Sequence, residues 1–114
     1  MLSYQNRLIS KKDIEAVCRR GSFFSSGNVT LRVKKNEESG TRFGFSVGLK
    51  FSLKAVERNR AKRQLRESAR QNIATIKKGY DIFAIVKKGQ KMKQGAEELA
   101  KDFLEALKKG NLIS

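Results

Sequence analysis

The segment 54–66 combines a dense positive charge with apolar residues, and it constrains the fold more than any other part of the chain. Six of its thirteen residues are Lys or Arg, and Glu57 is its one acidic residue. Val56, Ala61 and Leu65 make it a segment that folds, which a disordered basic tail would not do. A helix of this charge density repels itself unless a polyanion neutralises it. The segment therefore predicts a folded helix that binds a phosphate backbone.

The overall composition supports one basic domain, 1–114. The 114 residues include 26 Lys and Arg against 11 Asp and Glu, for a formal net charge of +15. A pI near 10.4 favours nucleic acid or an anionic membrane as the partner. No apolar run approaches the roughly 20 residues that span a bilayer, and the N-terminal residues are too polar for a signal peptide. These features predict a cytoplasmic protein, and the small apolar face of the basic helix argues against a membrane partner.

The first half of the chain predicts one helix and two strands. A capping pattern at Ser10 and apolar residues at helical spacing indicate a helix over 11–20. Alternating apolar and polar residues indicate strands at 29–33 and 43–47. The polar segment 36–40 between them predicts a tight turn, so that the two strands would pair as an antiparallel hairpin.

The second half predicts the layer that completes the fold. The basic helix extends over about 54–77, and the apolar run 80–86 indicates a central strand covered on both faces. A last amphipathic helix follows at about 95–109. The order α-β-β-α-β-α predicts an α+β two-layer sandwich, in which a hairpin and a βαβ unit share one central sheet.

Helical periodicity divides the basic helix into two faces. Ala61, Leu65, Ala69, Ile73 and Ile76 fall on the side that would pack on the sheet, and an arginine ridge falls opposite them. Guanidinium groups bind phosphates through two hydrogen bonds, and the helix N-terminus adds its dipole. The alternative is a solvated face without a ligand. The predicted RNA-binding residues are Arg58, Asn59, Arg60, Lys62, Arg63, Arg66, Arg70, Lys50 and Lys54.

The same helix resembles the signature of the bacterial ribonuclease P protein family. That signature has an Arg-Asn-Arg core, here 58–60, followed by Lys-Arg at 62–63 and Arg-Glu at 66–67. The similarity extends to the N-terminal segment, to the strand at 42–47 and to 80–82. It therefore covers nearly the whole chain.

The resemblance implies a fold and a function. The fold would contain a left-handed βαβ crossover, against the usual right-handed rule. The family removes the 5′ leader from precursor tRNA, and its catalyst is a partner RNA with bound Mg²⁺. The chain would then be a monomer in a 1:1 complex with that RNA, bound through the basic helix. It would hold the leader in a cleft between the first helix and the sheet.

The residues predicted to line the leader cleft are Ile14, Cys18, Arg32, Arg42 and Ser46. The resemblance places the first three there, and strand alternation adds Arg42 and Ser46 on the polar face of the sheet. The family commonly has aromatic residues at the first three positions, so base stacking there would be reduced and charge would matter more. Phe23 or Phe24 could supply the missing ring. The connection 48–53 is also one residue longer than usual.

A catalytic site or metal site of the protein's own is not expected. The chain has no His for acid–base catalysis, and its carboxylates form no recognisable metal motif. One Cys and no His exclude an intrachain disulfide and a structural zinc site. Cys18 is better explained as a small core residue than as a reactive thiol. Any Mg²⁺ would be bound mainly by the partner RNA.

Several alternatives remain open at the level of sequence. A ribosomal or RNA-chaperone protein would show the same charge, whereas a membrane-binding helix would need a larger apolar face. Phe43 and Phe45 could stack on bases, although their alternation favours the core. The lysines of the segment 87–93 could form a second phosphate patch or only a solubilising loop.

Overall fold

This computed structural model describes residues 3–37, 40–86 and 96–113, which contain four strands and three helices. A short 3₁₀ turn at Tyr4–Asn6 precedes them. The elements are α1 (Lys11–Arg20), β1 (Ser22–Ser26), β2 (Val29–Lys35), β3 (Arg42–Val47), α2 (Ala55–Gln71), β4 (Tyr80–Val86) and α3 (Ala96–Lys109). The predicted α+β class is confirmed, with one strand more than the sequence suggested.

The sheet has the order β1-β2-β4-β3. β1 and β2 pair antiparallel, as do β2 and β4, whereas β3 and β4 pair parallel and form the predicted βαβ unit with α2. Helices α2 and α3 cover one face, and α1 packs mainly over β2 and β4 on the other. The main core lies on the α2–α3 side, where Leu31, Ile82 and Phe103 are fully buried.

The predicted hairpin between the strands now called β2 and β3 is wrong, because β4 lies between them. β4 is apolar toward both faces of the sheet, and such a strand is stable only in a central position. Strands β2 and β3 therefore do not pair as a hairpin, and residues 38 and 39 of the predicted turn lie outside the described residues. Instead the Asn36 side chain donates to the carboxylate of Asp81 on β4, at 2.8 Å.

A hairpin joins β1 to β2, and the sequence patterns did not predict β1. Gly27 has φ +56° in the two-residue turn, where a positive φ favours glycine. A Cβ at Gly27 would also lie 2.2 Å from a carboxylate oxygen of Asp102. That carboxylate accepts a hydrogen bond from the backbone of Asn28 at 3.2 Å and so ties the turn to α3.

Helix α1 agrees with the sequence prediction at both ends. The Ser10 hydroxyl accepts a hydrogen bond from the Asp13 amide, and Gly21 follows the last helical residue. Val17 is the fully buried residue of this helix. No helix within the described ranges is long and apolar enough to cross a bilayer.

Helix α2 ends earlier than predicted, at Gln71 and not near residue 77. The Asn72 side chain donates to the carbonyl of Ser68 at 2.8 Å, which competes with continuation of the helix. Ile76 is buried as expected, but through a β-bridge to Ile113 and not on the helical face. The burial of the helical positions Ala61, Leu65 and Ala69 is confirmed.

Candidate nucleic-acid interface

The outer face of α2 carries the arginine ridge. Arg60 and Arg63 are exposed, and Arg66 is half-buried. Together with Gln64 and Glu67 they line an open depression of about 560 Å³. In the described part of the chain these three guanidinium groups have no ion-pair partner. Three uncompensated cations on one helix face form a surface suited to a chain of phosphates.

Arg70, at the C-terminal end of the ridge, is already paired. Its Nε donates to both carboxylate oxygens of Glu67, at 3.0 and 3.1 Å. The hydrogen bond from Arg70 lowers the pKa of Glu67, so the carboxylate is charged at neutral pH. The ridge with free positive charge is thus shorter than the predicted one, and Arg70 contributes less to it.

The N-terminal end of α2 projects beyond the sheet. Val56 in the first turn is 67% exposed, and Leu53 just before the helix is 84% exposed. Lys50 and Lys54 are exposed beside them. Helical periodicity places Arg58 and Lys62 near the apolar face of α2, so an overhang is what lets them reach solvent, and both are half-buried. Asn59, on the same turn, is exposed.

Arg58 is held in place by the loop that precedes the helix. Its Nη1 donates to the carbonyl of Ser52 at 2.9 Å. This bond orients the guanidinium without neutralising its charge. The Ser52 hydroxyl in turn donates to a carboxylate oxygen of Glu57, so the loop and the first turn form one hydrogen-bonded unit.

Arg42, which was predicted to contact the leader, forms a salt-bridge network between the sheet and α1. Its Nε and Nη2 donate to the two carboxylate oxygens of Asp81, at 2.8 and 2.7 Å. Its Nη1 lies 3.3 Å from a carboxylate oxygen of Asp13 on α1. Two carboxylates therefore offset one guanidinium, and its evident role is to orient α1 on the sheet.

The other predicted cleft residues lie on the α1 side of the sheet or on α1 itself. Ile14 and Cys18 are half-buried on the helix. Arg32 and Ser46 are half-buried on β2 and β3. The structure therefore brings these predicted residues to one side of the sheet.

Cross-strand pairing places one aromatic row on this face. Phe23 lies opposite Arg32, and Arg32 lies opposite Phe83. The Arg32 guanidinium carbon lies 5.1 Å from the centre of the Phe23 ring. Phe24 points to the opposite side and packs against the core. Of the two candidates for the missing ring, only Phe23 is on the cleft side.

Phe43 and Phe45 belong to the core, as their alternation suggested. Phe43 is buried, and both rings contact Phe103 of α3, with centroids 6.3 and 5.8 Å from its ring. Phe43 is therefore not available to stack on a base, whereas Phe45 is half-buried and lines an open depression beside β3. The lysines of the segment 87–93 lie outside the described residues.

The ridge and the α1 side of the sheet meet at Arg66. A second depression, of about 290 Å³, lies between the N-terminal segment, α1 and the β3 edge, and Arg7, Ile14, Phe83 and Arg66 are among its lining residues. The N-terminal segment is fixed there because the Leu8 amide donates to the Phe43 carbonyl at 2.8 Å. Arg66 lines both depressions. Sequence periodicity placed it on the ridge but could not show this second contact.

The described residues do not fit a protein-bound metal ion. Within 3–37, 40–86 and 96–113, no three His, Cys, Asp or Glu side chains converge as a metal site requires. Asp13 and Asp81 share Arg42 as their partner. No chemical step is therefore assigned to a metal held by this chain.

The fold and the charge place the chain in the class of small, strongly basic α+β proteins. An exposed, arginine-rich helix lies beside a partly open sheet. Within that class the chain belongs to the ribonuclease P family, whose model matches residues 2–111. The ribonuclease P protein component of Finegoldia magna is 44% identical over 82 residues, which are 72% of this chain and 71% of that protein. The component from Chloroflexus aggregans is 31% identical over 109 residues, 96% of this chain and 80% of that protein.

Solved structures agree with this assignment. The RNase P protein from Thermotoga maritima, in complex with 1-(4-fluorophenyl)-2-thiourea, has a TM-score of 0.81 and 30% identity, covering 90% of this chain and 97% of that chain. The Staphylococcus aureus RNase P protein has a TM-score of 0.85 at 23% identity, covering 96% of this chain and 98% of that chain. The latter similarity concerns the fold alone.

Proposed function

We propose that the chain binds the catalytic RNA of ribonuclease P and the 5′ leader of precursor tRNA, and assists the Mg²⁺-dependent removal of that leader. The observation that carries the proposal is the set of unpaired guanidinium groups of Arg60, Arg63 and Arg66 on one exposed helical face. Family membership supports a place in an endoribonuclease complex. The partners would be the catalytic RNA, in a 1:1 complex, and precursor tRNA.

The arginine ridge suits the catalytic RNA because it is rigid. Ala61, Leu65 and Ala69 are buried on the opposite face of α2, which fixes the orientation of the helix about its axis. The guanidinium groups therefore project from a fixed face. Arginines at helical spacing can bind successive phosphates, and their planar guanidinium groups lose less side-chain entropy per hydrogen bond than lysines would. The overhanging N-terminal turn, with Lys50 and Lys54, would extend the contact toward the helix dipole.

The α1 side of the sheet suits a single strand. The Arg42 network fixes α1 above β2 and β4, and polar side chains such as Ser46 line the strands beside it. Arg32 carries a cation on this face that no carboxylate of the described residues offsets. We assign the leader to this surface, with Arg32 as its main charged contact.

The protein's own part in the reaction is electrostatic. A net charge of +15 next to two RNA molecules offsets phosphate repulsion that Mg²⁺ would otherwise have to offset. Mg²⁺, bound mainly by the catalytic RNA, would supply the chemistry of phosphodiester hydrolysis. The residues of this chain would bind, orient and neutralise.

The decisive assay is cleavage of precursor tRNA at low Mg²⁺ by a bacterial ribonuclease P RNA, with and without this protein. We expect the protein to lower the Mg²⁺ concentration that half-maximal cleavage requires. Protein freed of RNA by nuclease treatment should not cleave at any Mg²⁺ concentration. Cleavage by RNA-free protein, or no effect on the Mg²⁺ requirement, would contradict the proposal.

The leader contact has its own test in the assembled complex. Arg32→Glu places a negative charge on the strand surface, so it should weaken the binding of precursor tRNA more than that of mature tRNA. Arg32→Lys, which keeps the charge, is the matched control. An unchanged ratio of the two affinities in Arg32→Glu would show that the leader lies elsewhere.

A further inference from the structure

One patch on the open side of the sheet combines an exposed ring with a cation. Phe23 of β1 is 54% exposed, and the Arg32 guanidinium lies over its ring. Helix α1 packs mainly over β2 and β4, whereas β1 contacts α3 on the core side. The ring thus lies beyond the area that α1 covers.

The backbone fixes the position of this ring. Phe23 is in register with Arg32, and its neighbour Phe24 is held in the core against Gly110. The hairpin turn that follows is tied to Asp102 of α3. Because strand side chains alternate between faces, anchoring Phe24 inward directs Phe23 outward. The exposure of Phe23 is therefore imposed by the fold and does not come from a loose loop.

The chemistry around Phe23 favours a nucleotide base as its occupant. Ser25 lies on the same face of β1 as the ring, and Thr30 lies opposite Ser25. One exposed ring covers far less than the roughly 800 Å² per partner that a stable protein interface buries. An aromatic ring with a guanidinium beside it, by contrast, can hold a base by stacking and its phosphate by charge.

We propose that Phe23 and Arg32 form a stacking site for one unpaired base of the RNA substrate. The proposal rests on the proposed function, since it assumes that precursor tRNA is the ligand. It assigns the stacking contact to the outer strand β1, beyond the helix-covered part of the cleft. Arg32 then has two roles, contact with the phosphate and orientation of the ring.

The test compares precursor and mature tRNA binding to the assembled RNA–protein complex. Phe23→Ala should weaken precursor binding by roughly 5- to 150-fold, the range that loss of one stacked base implies. Mature tRNA binding should not change. Phe23→Tyr, which keeps the ring, should retain precursor affinity. Leu53→Ala is the control, because Leu53 is also a large exposed apolar residue but lies before α2.

A spectroscopic readout separates stacking from a general effect on structure. The chain has no Trp and two Tyr, so Phe23→Trp introduces a single tryptophan whose emission can be excited selectively. Its emission should be quenched by precursor tRNA and not by mature tRNA. Quenching by both, or by neither, would contradict the stacking site.

The outcomes distinguish the two proposals. If the complex assembles and cleaves while Phe23→Ala leaves the affinity ratio unchanged, the stacking site is wrong and the proposed function stands. The stacking site is also wrong if Leu53→Ala lowers the ratio as much as Phe23→Ala does. If the wild-type chain neither assembles with the RNA nor affects cleavage, both proposals fail.

Discussion

Removal of the two exposed ridge arginines should change how RNA binding depends on salt. Arg60 and Arg63 project from α2 without an ion-pair partner among the described residues, so each is expected to neutralise one phosphate. Each such contact contributes roughly 0.7–0.9 to the slope of log K against log salt. The double substitution to Ala should therefore reduce the slope by about 1.4–1.8.

This change in slope has a direct consequence for affinity. Between 50 and 200 mM salt, the affinity advantage of the wild type over the double variant should shrink by roughly 7- to 12-fold. The assay is a titration of the ribonuclease P RNA with protein at four or more salt concentrations. Circular dichroism confirms that the variant is folded, as expected because both residues lie off the buried face of α2.

A control for total charge is available on α3. Lys101→Ala with Lys108→Ala removes the same two charges from an exposed part of another helix, so both variants have a net charge of +13, from 15 − 2. Only the ridge variant should show the full change in slope. Equal changes in both variants would show that net charge, and not the ridge, drives binding. An unchanged slope in a folded ridge variant would refute the phosphate contacts.

Three further substitutions separate fold from site. Leu65→Ala, at a fully buried position, should lower the free energy of unfolding by roughly 2–5 kcal/mol in denaturant titrations; a loss below this range would mean that α2 does not pack as described. Arg42→Ala should lower the free energy of unfolding by up to about 3–5 kcal/mol, because it leaves the buried Asp81 carboxylate with fewer hydrogen-bond donors. An unchanged free energy of unfolding would contradict the Arg42 network. Cys18→Phe should be tolerated, since Cys18 is half-buried and Val17 is the buried residue of α1; an unfolded variant, seen by circular dichroism, would place Cys18 in a closed core.

Local patterns predicted the helices well because their signals are local. The cap at Ser10, the glycine after α1 and the apolar spacing of α3 each depend on residues within a few positions of one another. The extent of α2 was overestimated because Ile73 and Ile76 continue its apolar period. Asn72, whose side chain competes for the Ser68 carbonyl, was the available stop signal.

Sheet topology was harder to predict because strand pairing is not local. β1 is short and rich in serine, so it shows no alternation, although Gly27-Asn28 is a recognised two-residue hairpin signal. The insertion of β4 between β2 and β3 follows from the need to bury both of its faces. That argument was present in the sequence, and it conflicted with the predicted β2–β3 hairpin.

The candidate site shows the same division between local and distant contacts. The i,i+3 pair of Glu67 and Arg70 could have been predicted from spacing alone. The pairing of Arg42 with Asp81 spans 39 residues and could not. Sequence reasoning therefore identified the cations but not which of them are neutralised within the fold.

The position of Arg66 connects the two surfaces that the proposed function requires. Arg60 and Arg63 line the ridge depression, and Arg66 lines both that depression and the one beside Ile14 and Phe83. A phosphate backbone bound on the ridge and a strand bound beside α1 would thus meet at one guanidinium. Because α2 is fixed by its buried face and α1 by the Arg42 network, the angle between the two surfaces is set by the fold. Under the proposed function, this fixed angle would let RNA bound on the ridge position a second strand on the sheet.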